Sequence, residues 1–510
     1  MAEQTLHPSL DQFPLYIQNS LSRKKELFKP IHEGKVGLYV CGPTVYGDPH
    51  LGHARSAITF DAVNRYLQFL GYRVRYVRNI TDVGHLENEV AGEGEDKISK
   101  KARLEELEPM EVVQQYTNSY HYSLQQLNVI PPSIEPRASG HIIEQIETIE
   151  KILEAGYAYE TNGSVYFNLS KYIEDYEYGK LSGKVLEDLQ TGSRETEGLT
   201  EKKGMHDFAL WKKAAPEHIM RWNSPWGEGF PGWHVECTAM CTKYLGEHFD
   251  IHGGGLDLQF PHHEAEIAQN VAAFGDAPVN YWMHHNLVTI DGQKMSKSLG
   301  NFITVQELFE GKHDRLTRAW HPMIVRFFTL QAHYRSPVDF SEDALESAEK
   351  GLKKLMGARA LTDGLPEPTG RSETPEDQAL RGFSDDCYRH MSDDFNTPRT
   401  IAALFELASK IYSIQNGQIE ASQLRPETLT YARKTFNGFI DDVLALQPIE
   451  ETLAESGKTD ELMQVLIELR KEARTVRDFK TADKIRNRLQ EIGIRLKDEK
   501  GGKTTYEMED

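Results

Sequence analysis

The fold of this chain is decided by residues 35–80, KVGLYVCGPTVYGDPHLGHARSAITFDAVNRYLQFLGYRVRYVRNI. The apolar run at 35–41 predicts a buried strand, which a Gly-Pro pair ends. The spacing of apolar residues after HLGH predicts a helix as far as Leu70, and residues 72–80 predict a second strand. A strand, a helix and a strand in this order form a βαβ unit, so we expect an α/β fold with a doubly wound, Rossmann-like parallel sheet.

Composition and charge limit the class of protein. The chain has 510 residues, of which 39% are hydrophobic and 27% charged, as in ordinary globular proteins. It has no run of about 18 apolar residues and no basic segment followed by an apolar core at its start, so we predict neither a membrane span nor a secretory signal. Four cysteines do not suggest a disulfide framework, so we expect a reducing, cytoplasmic location. The net charge of −20 argues against non-specific nucleic-acid binding.

Periodicity and chain breaks predict the organisation of the rest. The α/β domain should have two halves, separated by an insertion that holds a β-hairpin turning at Asn162-Gly163 and a polar loop at 180–207. Helical regions should follow, with linkers at 362–377 and 448–459. The predicted segments are 1–125 and 223–302 (the two halves), 126–222 (the insertion), 303–365 and 366–455 (helical), and 456–510 (basic C-terminal region).

Residues 249–270, FDIHGGGLDLQFPHHEAEIAQN, place polar side chains beside three glycines. Glycines allow a ligand to approach the backbone closely. His262 and Glu266 are four residues apart in a predicted helix, 262–274, and therefore share one face. A nitrogen and an oxygen ligand on one face suggest a metal beside a small-molecule cleft, whereas the alternative is a solvated helix end.

Two further motifs suggest that the chain binds a polyphosphate. His50 and His53 fall in the first turn of the predicted helix, where the helix dipole and unpaired N–H groups favour phosphate. Lys294 and Lys297 fall in KMSKS, a glycine-flanked loop that could neutralise charge as pyrophosphate leaves. Each motif alone is also typical of a solvated helix start or turn. Together, at the edge of one parallel sheet, HLGH and KMSKS resemble the signatures of class I aminoacyl-tRNA synthetases.

The whole chain, including FPHHEAEIAQ, MSDDFNTP and DFKTADKIRNRL, resembles the cysteinyl-tRNA synthetase family. The resemblance implies a HUP-type catalytic domain, a stem-contact region at 303–365, a DALR-like anticodon-binding bundle at 366–455 and an anticodon-recognition region at 456–510. It also implies ATP-dependent activation of L-cysteine to cysteinyl-adenylate, with Mg²⁺, and transfer to the 3′ end of tRNA(Cys) by a monomer. One zinc per chain would bind the substrate thiolate and discriminate against serine, with the ligands Cys41, Cys237, His262 and Glu266.

The same resemblance assigns roles to individual residues. It implies that His50, His53, Lys294 and Lys297 act in catalysis, and that both histidines and Lys297 contact ATP. Its nucleotide-binding positions fall on Gly255 and Asp257. Its amino-acid-binding positions fall on Cys41, Thr81 and Trp233.

Several alternatives remain open. Cys241 lies one helical turn from Cys237, and only the family pattern WHxEC favours Cys237. A ligase that joins cysteine to an amino sugar would share the catalytic half but lack residues 378–503. A zinc hydrolase would need a second histidine where this chain has Glu266, and an RNA-binding scaffold would not need HLGH, KMSKS and four ligands together. Residues 470–503 carry twelve Lys/Arg and six Asp/Glu, a net charge of +6, which suits either tRNA contact or a solvated face.

Overall fold

A computed structural model describes residues 9–83, 86–88, 93–184, 201–216, 218–295, 300–449, 453–475, 478–491, 493–498 and 504–508. The chain forms two compact units, Met1–Gln447 and Pro448–Asp510. All the predicted boundaries before residue 447 therefore lie within the first unit. Within the described residues, no helix combines the length and the apolar character needed to span a bilayer.

The elements of the first unit are numbered in chain order. Its strands are β1 (Tyr16–Asn19), β2 (Lys24–Leu27), β3 (Lys35–Val40), β4 (Arg73–Arg78), β5 (Leu86–Asn88), β6 (Glu93–Asp96), β7 (Ala158–Thr161), β8 (Ser164–Phe167), β9 (Phe208–Lys213), β10 (Gly229–Pro231), β11 (Phe249–Gly255), β12 (Val279–His285), β13 (Val288–Ile290), β14 (Gln293–Lys294) and β15 (Val338–Phe340). Its helices are α1 (Ser9–Gln12), α2 (Leu51–Phe69), α3 (Lys97–Glu105), α4 (Pro109–Gln126), α5 (Ile142–Glu154), α6 (Leu169–Asp175), α7 (Trp233–Leu245), α8 (Glu264–Phe274), α9 (Val305–Glu310), α10 (Pro322–Leu330), α11 (Glu342–Leu361), α12 (Pro375–Met391), α13 (Thr397–Gln415) and α14 (Pro426–Asn437).

A parallel sheet in the order β12-β11-β3-β4 organises the first unit. Leu38 of β3 lies opposite Tyr76 of β4 and Ile251 of β11, and all three side chains are buried. Helix α2 connects β3 to β4, which confirms the predicted βαβ unit and the α/β fold class. Because the strands are parallel, their carboxyl ends meet at one edge, where ligands of such sheets bind.

The insertion has its own antiparallel sheet, in the order β10-β9-β8-β7. The predicted hairpin is confirmed: β7 and β8 pair through a turn in which Asn162 (φ 51°) and Gly163 (φ 86°) both have the positive φ of a type I′ turn. Because β10 pairs with β9, this sheet extends past the predicted limit at residue 222 to Pro231. The predicted loop at 180–207 falls largely outside the described residues, which omit 185–200.

Helices α11 to α14 form the helical part of the first unit, with a core that includes Leu355, Leu404 and Leu407. The linker predicted at 362–377 is shorter than expected, because α12 begins at Pro375. Thr374 caps this helix: its hydroxyl accepts a hydrogen bond from the Asp377 N–H, and the Asp377 carboxylate accepts one from the Thr374 N–H.

The second unit contains two helices, α15 (Leu453–Thr475) and α16 (Phe479–Glu491), and the described antiparallel pair β16 (Ile494–Asp498) and β17 (Thr504–Met508). Helix α15 begins inside the linker predicted at 448–459, so this linker is shorter than expected. The helix starts with the residues LAES, and the high helix propensity of Leu, Ala and Glu favours a helix there despite Gly457.

Candidate active site

A cavity of about 500 Å³ opens at the carboxyl ends of β3 and β11. The structure brings together around it most of the residues to which the sequence assigned a role: Cys41, His50, His53, Trp233, Gly255, Asp257 and Lys294. Thr81 is buried behind the cavity wall rather than lining it: it is only 2% exposed, its N–H donates to the carbonyl of the lining residue Pro43 at 3.0 Å, and its hydroxyl donates to Glu236 Oε2 at 3.1 Å. Lys297 lies outside the described residues, which omit 296–299.

The HLGH motif forms the N-terminus of α2. His50 is the N-cap residue, and its Nδ1 accepts a hydrogen bond from the Gly52 N–H at 3.0 Å. Nδ1 of His53 accepts one from the His50 N–H at 3.2 Å. A neutral imidazole that accepts through Nδ1 carries its hydrogen on Nε2. Burial lowers the pKa of His53 to about 4, although Asp257 acts in the opposite direction, so His53 is neutral at pH 7.

The described part of the KMSKS motif is held by a short hairpin. Lys294 is exposed and ends β14, which pairs with β13 so that Lys294 lies opposite Thr289. The carboxylate of Asp339, on the adjacent β15, accepts hydrogen bonds from the Thr289 hydroxyl at 2.7 Å and from the Gly292 N–H at 2.8 Å. The turn that leads into the motif is therefore tied to β15.

The predicted metal ligands come together in space. The ligand atoms of Cys41, Cys237, His262 and Glu266 all lie within 4.8 Å of one another. His262 Nε2 is 3.1 Å from Glu266 Oε1, and the two sulfurs are 3.7 Å apart. The α-helix begins at Glu264, two residues later than predicted, and His262 lies in the short turn Gln259–His263 that leads into it. Two thiols, an imidazole and a carboxylate are a donor set that fits zinc.

Two of the four proposed ligands have the protonation that suits a metal, and the other two would release a proton on binding one. Burial raises the pKa of Cys237, but its hydrogen bond with Cys41 and the charge of His262 outweigh burial and bring it to about 6. Burial likewise raises the pKa of Glu266, but His252 and His262 bring it well below its ordinary value. The thiolate and the carboxylate are the forms that bind metal ions. Burial raises the pKa of Cys41 well above its ordinary value. Burial lowers the pKa of His262, but Cys237 and Glu266 outweigh it and bring that pKa to about 10.

The alternative ligand, Cys241, is placed differently. Its sulfur donates to the Thr238 carbonyl at 3.3 Å, and burial raises its pKa well above the ordinary value. Neither group of candidate metal ligands among the described residues includes it. The geometry therefore favours Cys237.

Sequence reasoning missed a chain of buried histidines behind the ligand group. His252 Nε2 lies 2.9 Å from Glu266 Oε2, and His263 Nε2 lies 3.2 Å from Cys41 Sγ. Nδ1 of His263 is in turn 2.8 Å from Nε2 of His284. With Cys41 and Glu266, His252 and His263 form a second, overlapping group of candidate ligands. One signal was available in the sequence, since a histidine inside the buried strand FDIHGGG requires a polar partner.

Comparisons with known proteins agree with this arrangement. A family model described as the catalytic domain of class I (C) tRNA synthetases matches residues 27–350, and a DALR domain model matches residues 387–446. A solved Mycobacterium tuberculosis methionyl-tRNA synthetase in complex with methionyl-adenylate has a similar fold, with a TM-score of 0.56 at 15% identity over 81% of this chain and 90% of that chain. The fold and the site define a class I aminoacyl-tRNA synthetase.

Curated relatives narrow the class. The cysteine–tRNA ligase of Bacteroides thetaiotaomicron is 58% identical over 96% of this chain and 98% of the relative. The ligases of Porphyromonas gingivalis (57% identical, 96% and 99%) and Chlorobaculum tepidum (49% identical, 96% and 98%) match over similar lengths. The chain belongs to the cysteine–tRNA ligase family.

Proposed function

We propose that this chain activates L-cysteine with ATP and transfers it to the 3′ end of tRNA(Cys). The observation that carries the proposal is the position of the group Cys41, Cys237, His262 and Glu266 beside a cavity that also receives the start of α2. A metal held by this group would prefer a thiolate, and the start of α2 suits a phosphate. The two features together suit an enzyme that joins cysteine to a nucleotide. Nearly full-length identity to cysteine–tRNA ligases supports the same reaction.

The ligand group explains how cysteine would be selected. Cysteine and serine differ little in shape, so a pocket that relied on shape would separate them poorly. Zinc held by Cys41, Cys237, His262 and Glu266 would supply a soft Lewis acid that prefers a thiolate to a hydroxyl. Trp233 contributes an apolar wall, since its ring lies 4.3 Å from that of His262.

The remaining site residues suit adenylate formation. The cysteine carboxylate attacks the α-phosphate of ATP, the bond from that phosphorus to the bridging oxygen breaks, and pyrophosphate leaves. Mg²⁺ bound with ATP would neutralise part of the charge on the phosphates. The neutral imidazoles of His50 and His53, at the N-terminus of α2, donate hydrogen bonds to phosphate oxygens. Lys294 and Lys297 neutralise charge on the departing pyrophosphate, while Gly255 and Asp257 hold the ribose. The terminal ribose hydroxyl of tRNA then attacks the acyl carbon of the adenylate, the bond from that carbon to the phosphate oxygen breaks, and AMP leaves. No side chain therefore needs to act as a nucleophile.

The rest of the chain would bind tRNA. We assign residues 303–365 to contact with the acceptor stem, 366–455 to the anticodon arm and 456–510 to anticodon recognition. In the catalytic part, we assign Thr81 to the support of the amino-acid pocket. The match of the DALR model to residues 387–446 supports the second assignment. We further propose that the enzyme is a cytoplasmic monomer that binds one zinc ion.

Two assays test the proposal together. Cysteine-dependent exchange of pyrophosphate into ATP should be rapid, and the purified chain should charge tRNA(Cys) with cysteine. Exchange without charging, but with cysteine transferred to an amino sugar, would instead show the amino-sugar ligase. No cysteine-dependent exchange at all would contradict the proposal.

A further inference from the structure

The segment from residue 329 to residue 338, which we call the junction segment, links the end of α10 to the start of β15. Hydrogen bonds join it to three separate parts of the first unit. These parts are the helix that begins with HLGH, the link between β12 and β13 that leads to KMSKS, and the helical part of the chain. None of these contacts is needed to explain the candidate active site described above.

The first contact comes from Arg55, two residues after His53 on α2. Arg55 is only 1% exposed and is one of the residues that line the active-site cavity. The guanidinium of Arg55 donates to four carbonyl oxygens of the junction segment. Its Nη1 bonds to Thr329 O at 2.9 Å. Its Nη2 lies within hydrogen-bond distance of His333 O (2.9 Å), Tyr334 O (3.3 Å) and Ser336 O (3.0 Å). Such a set of bonds fixes the segment relative to the HLGH helix start, because a buried guanidinium is costly to leave unpaired.

The second contact comes from Asn286, in the link between β12 and β13 that leads to KMSKS. The Asn286 N–H donates to Tyr334 O at 2.8 Å, and the Asn286 side-chain amide donates to Arg335 O at 3.0 Å. The segment then continues into β15, which pairs in parallel with β13, so that Val288 lies opposite Val338. Asp339 in turn holds the turn before Lys294. The position of the segment therefore also sets the position of the KMSKS hairpin.

The third contact comes from the helical part of the chain, through Asp394, whose side chain is 1% exposed. Its Oδ1 accepts a hydrogen bond from the Tyr334 hydroxyl at 2.6 Å and one from the Gln18 N–H at 2.8 Å. Its Oδ2 accepts a charge-assisted bond from Arg335 Nε at 2.7 Å. A buried carboxylate with this many donors holds the segment firmly. Asp394 lies just before α13 in MSDDFNTP and has a positive φ of 66°.

We propose that the junction segment sets the relative positions of the two ATP-binding motifs, and that Asp394 is the positioning residue that ties this arrangement to the tRNA-binding helices. The inference rests on the proposed function. Its physical basis is that one short segment is bonded to the HLGH helix, to the KMSKS hairpin and to the helical part, so that a shift of one is transmitted to the others. Among the described residues, the segment makes no hydrogen bond to the four proposed metal ligands. Loosening it should therefore disturb ATP more than cysteine.

The test replaces Asp394 by asparagine, which keeps the shape of the side chain but turns one acceptor oxygen into a donor. The matched control is Asp393→Asn, because Asp393 is the neighbouring residue, is 39% exposed and pairs with Lys25 at the surface. Cysteine-dependent exchange is measured per active site, with the active fraction taken from the burst of adenylate. We expect Asp394→Asn to raise the KM for ATP and to lower kcat, each by roughly tenfold, without changing the KM for cysteine or the zinc content. Asp393→Asn should behave like the wild type.

A merely structural role would lower the active fraction and the melting temperature without changing the KM for ATP. If Asp394→Asn does not fold, Tyr334→Phe removes a single hydroxyl that donates to Asp394. This milder variant should raise the KM for ATP by roughly two- to fivefold, with cysteine again unaffected. The inference is overturned if every variant that folds, including Tyr334→Phe, has the same KM for ATP as Asp393→Asn. Failure of the proposed function would look different, because the wild type would then show no cysteine-dependent exchange.

Discussion

Arg326 and Asp61 form an ion pair in which both side chains are fully buried, with Nη2 2.5 Å from Oδ2. Arg326 lies on α10 and Asp61 on α2, so the pair joins the HLGH helix to the helix that ends at the junction segment. The same guanidinium donates to the carbonyl oxygens of Leu127 and Leu444, and Arg65 donates to the same carboxylate. The network therefore ties α2, through Asp61, to α10 and to the backbone at Leu127 and Leu444.

Removing one partner of the pair should destabilise the first unit strongly. Asp61→Asn leaves the buried charge of Arg326 without its counterion, and such a change typically costs about 3–5 kcal/mol. Thermal unfolding should therefore begin at a much lower temperature than in the wild type. The exposed pair of Lys171 and Glu174 supplies the control, since Glu174→Gln should leave the melting temperature unchanged. An equally small effect of Asp61→Asn would show that the network contributes little.

The two candidate thiols can be separated by metal content. Cys237 lies among the other proposed ligands, whereas the sulfur of Cys241 bonds to a backbone carbonyl. We expect Cys237→Ala to lose the bound zinc and Cys241→Ala to retain it, because only the first change removes a ligand. Elemental analysis of both purified variants checks this. Zinc retained by Cys237→Ala and lost from Cys241→Ala would reverse the assignment.

The stability of the enzyme should depend on pH through His285, which is 6% exposed at the end of β12. Burial lowers its pKa to about 4; a hydrogen bond to the Asn286 carbonyl acts in the opposite direction, and the charge of Arg55 lowers the pKa further. In the unfolded chain the pKa of a histidine is about 6.5. Between pH 4 and pH 6.5, the unfolded state therefore binds more protons at this residue than the folded state does. The stability that neutral His285 contributes is therefore complete above pH 6.5 and is lost as the pH falls towards 4.

The measurement compares melting temperatures at pH 7.5 and pH 5. The wild type should lose more stability over this interval than His285→Gln, which has no group to protonate at this position. His32→Gln, which removes an exposed imidazole, is the control. Its melting temperature should fall by as much as that of the wild type between pH 7.5 and pH 5. The prediction fails if His285→Gln falls by as much as the wild type.

Deletion of the second unit, residues 448–510, should separate the two steps of the reaction. The described site residues all precede residue 303, so cysteine-dependent exchange should persist. Charging of tRNA at low tRNA concentration should fall sharply, and tRNA binding should depend less on salt, because each lost phosphate contact no longer releases counterions. In the full-length chain, replacing the exposed Lys480 and Lys484 by glutamine should reduce the salt dependence in the same direction. Full charging by the truncated protein would show that 470–503 is only a solvated face.

The parts of the fold that depend on local pattern could be predicted from the sequence. The βαβ unit follows from the period of its apolar residues, and the hairpin at Asn162-Gly163 follows from the positive φ that these residues tolerate. The start of α8 was placed two residues too early, because apolar spacing does not distinguish the turn Gln259–His263 from the α-helix that follows it. The start of α15 was missed because a glycine-containing polar stretch was interpreted as a linker.

The candidate site was predictable only where a motif or the family resemblance identified it. Cys41 and Cys237 are 196 residues apart, and no local pattern brings them together. The contacts of His263 with Cys41 and His284 join three elements and depend on how the sheet is wound. Asp394 was quoted only as part of a motif, since its partners Tyr334 and Arg335 lie far away in the sequence.

Discrimination between cysteine and serine tests the role of the ligand group most directly. The measurement is the ratio of kcat/KM for cysteine to that for serine in pyrophosphate exchange, for the zinc-bound wild type. Shape alone separates such similar side chains by roughly 10–200-fold, whereas a thiolate bound at Cys41, Cys237, His262 and Glu266 should give a ratio well above that range. The exposed variant Asp393→Asn should keep the high ratio. A wild-type ratio within the range of shape alone would contradict selection of cysteine by this group.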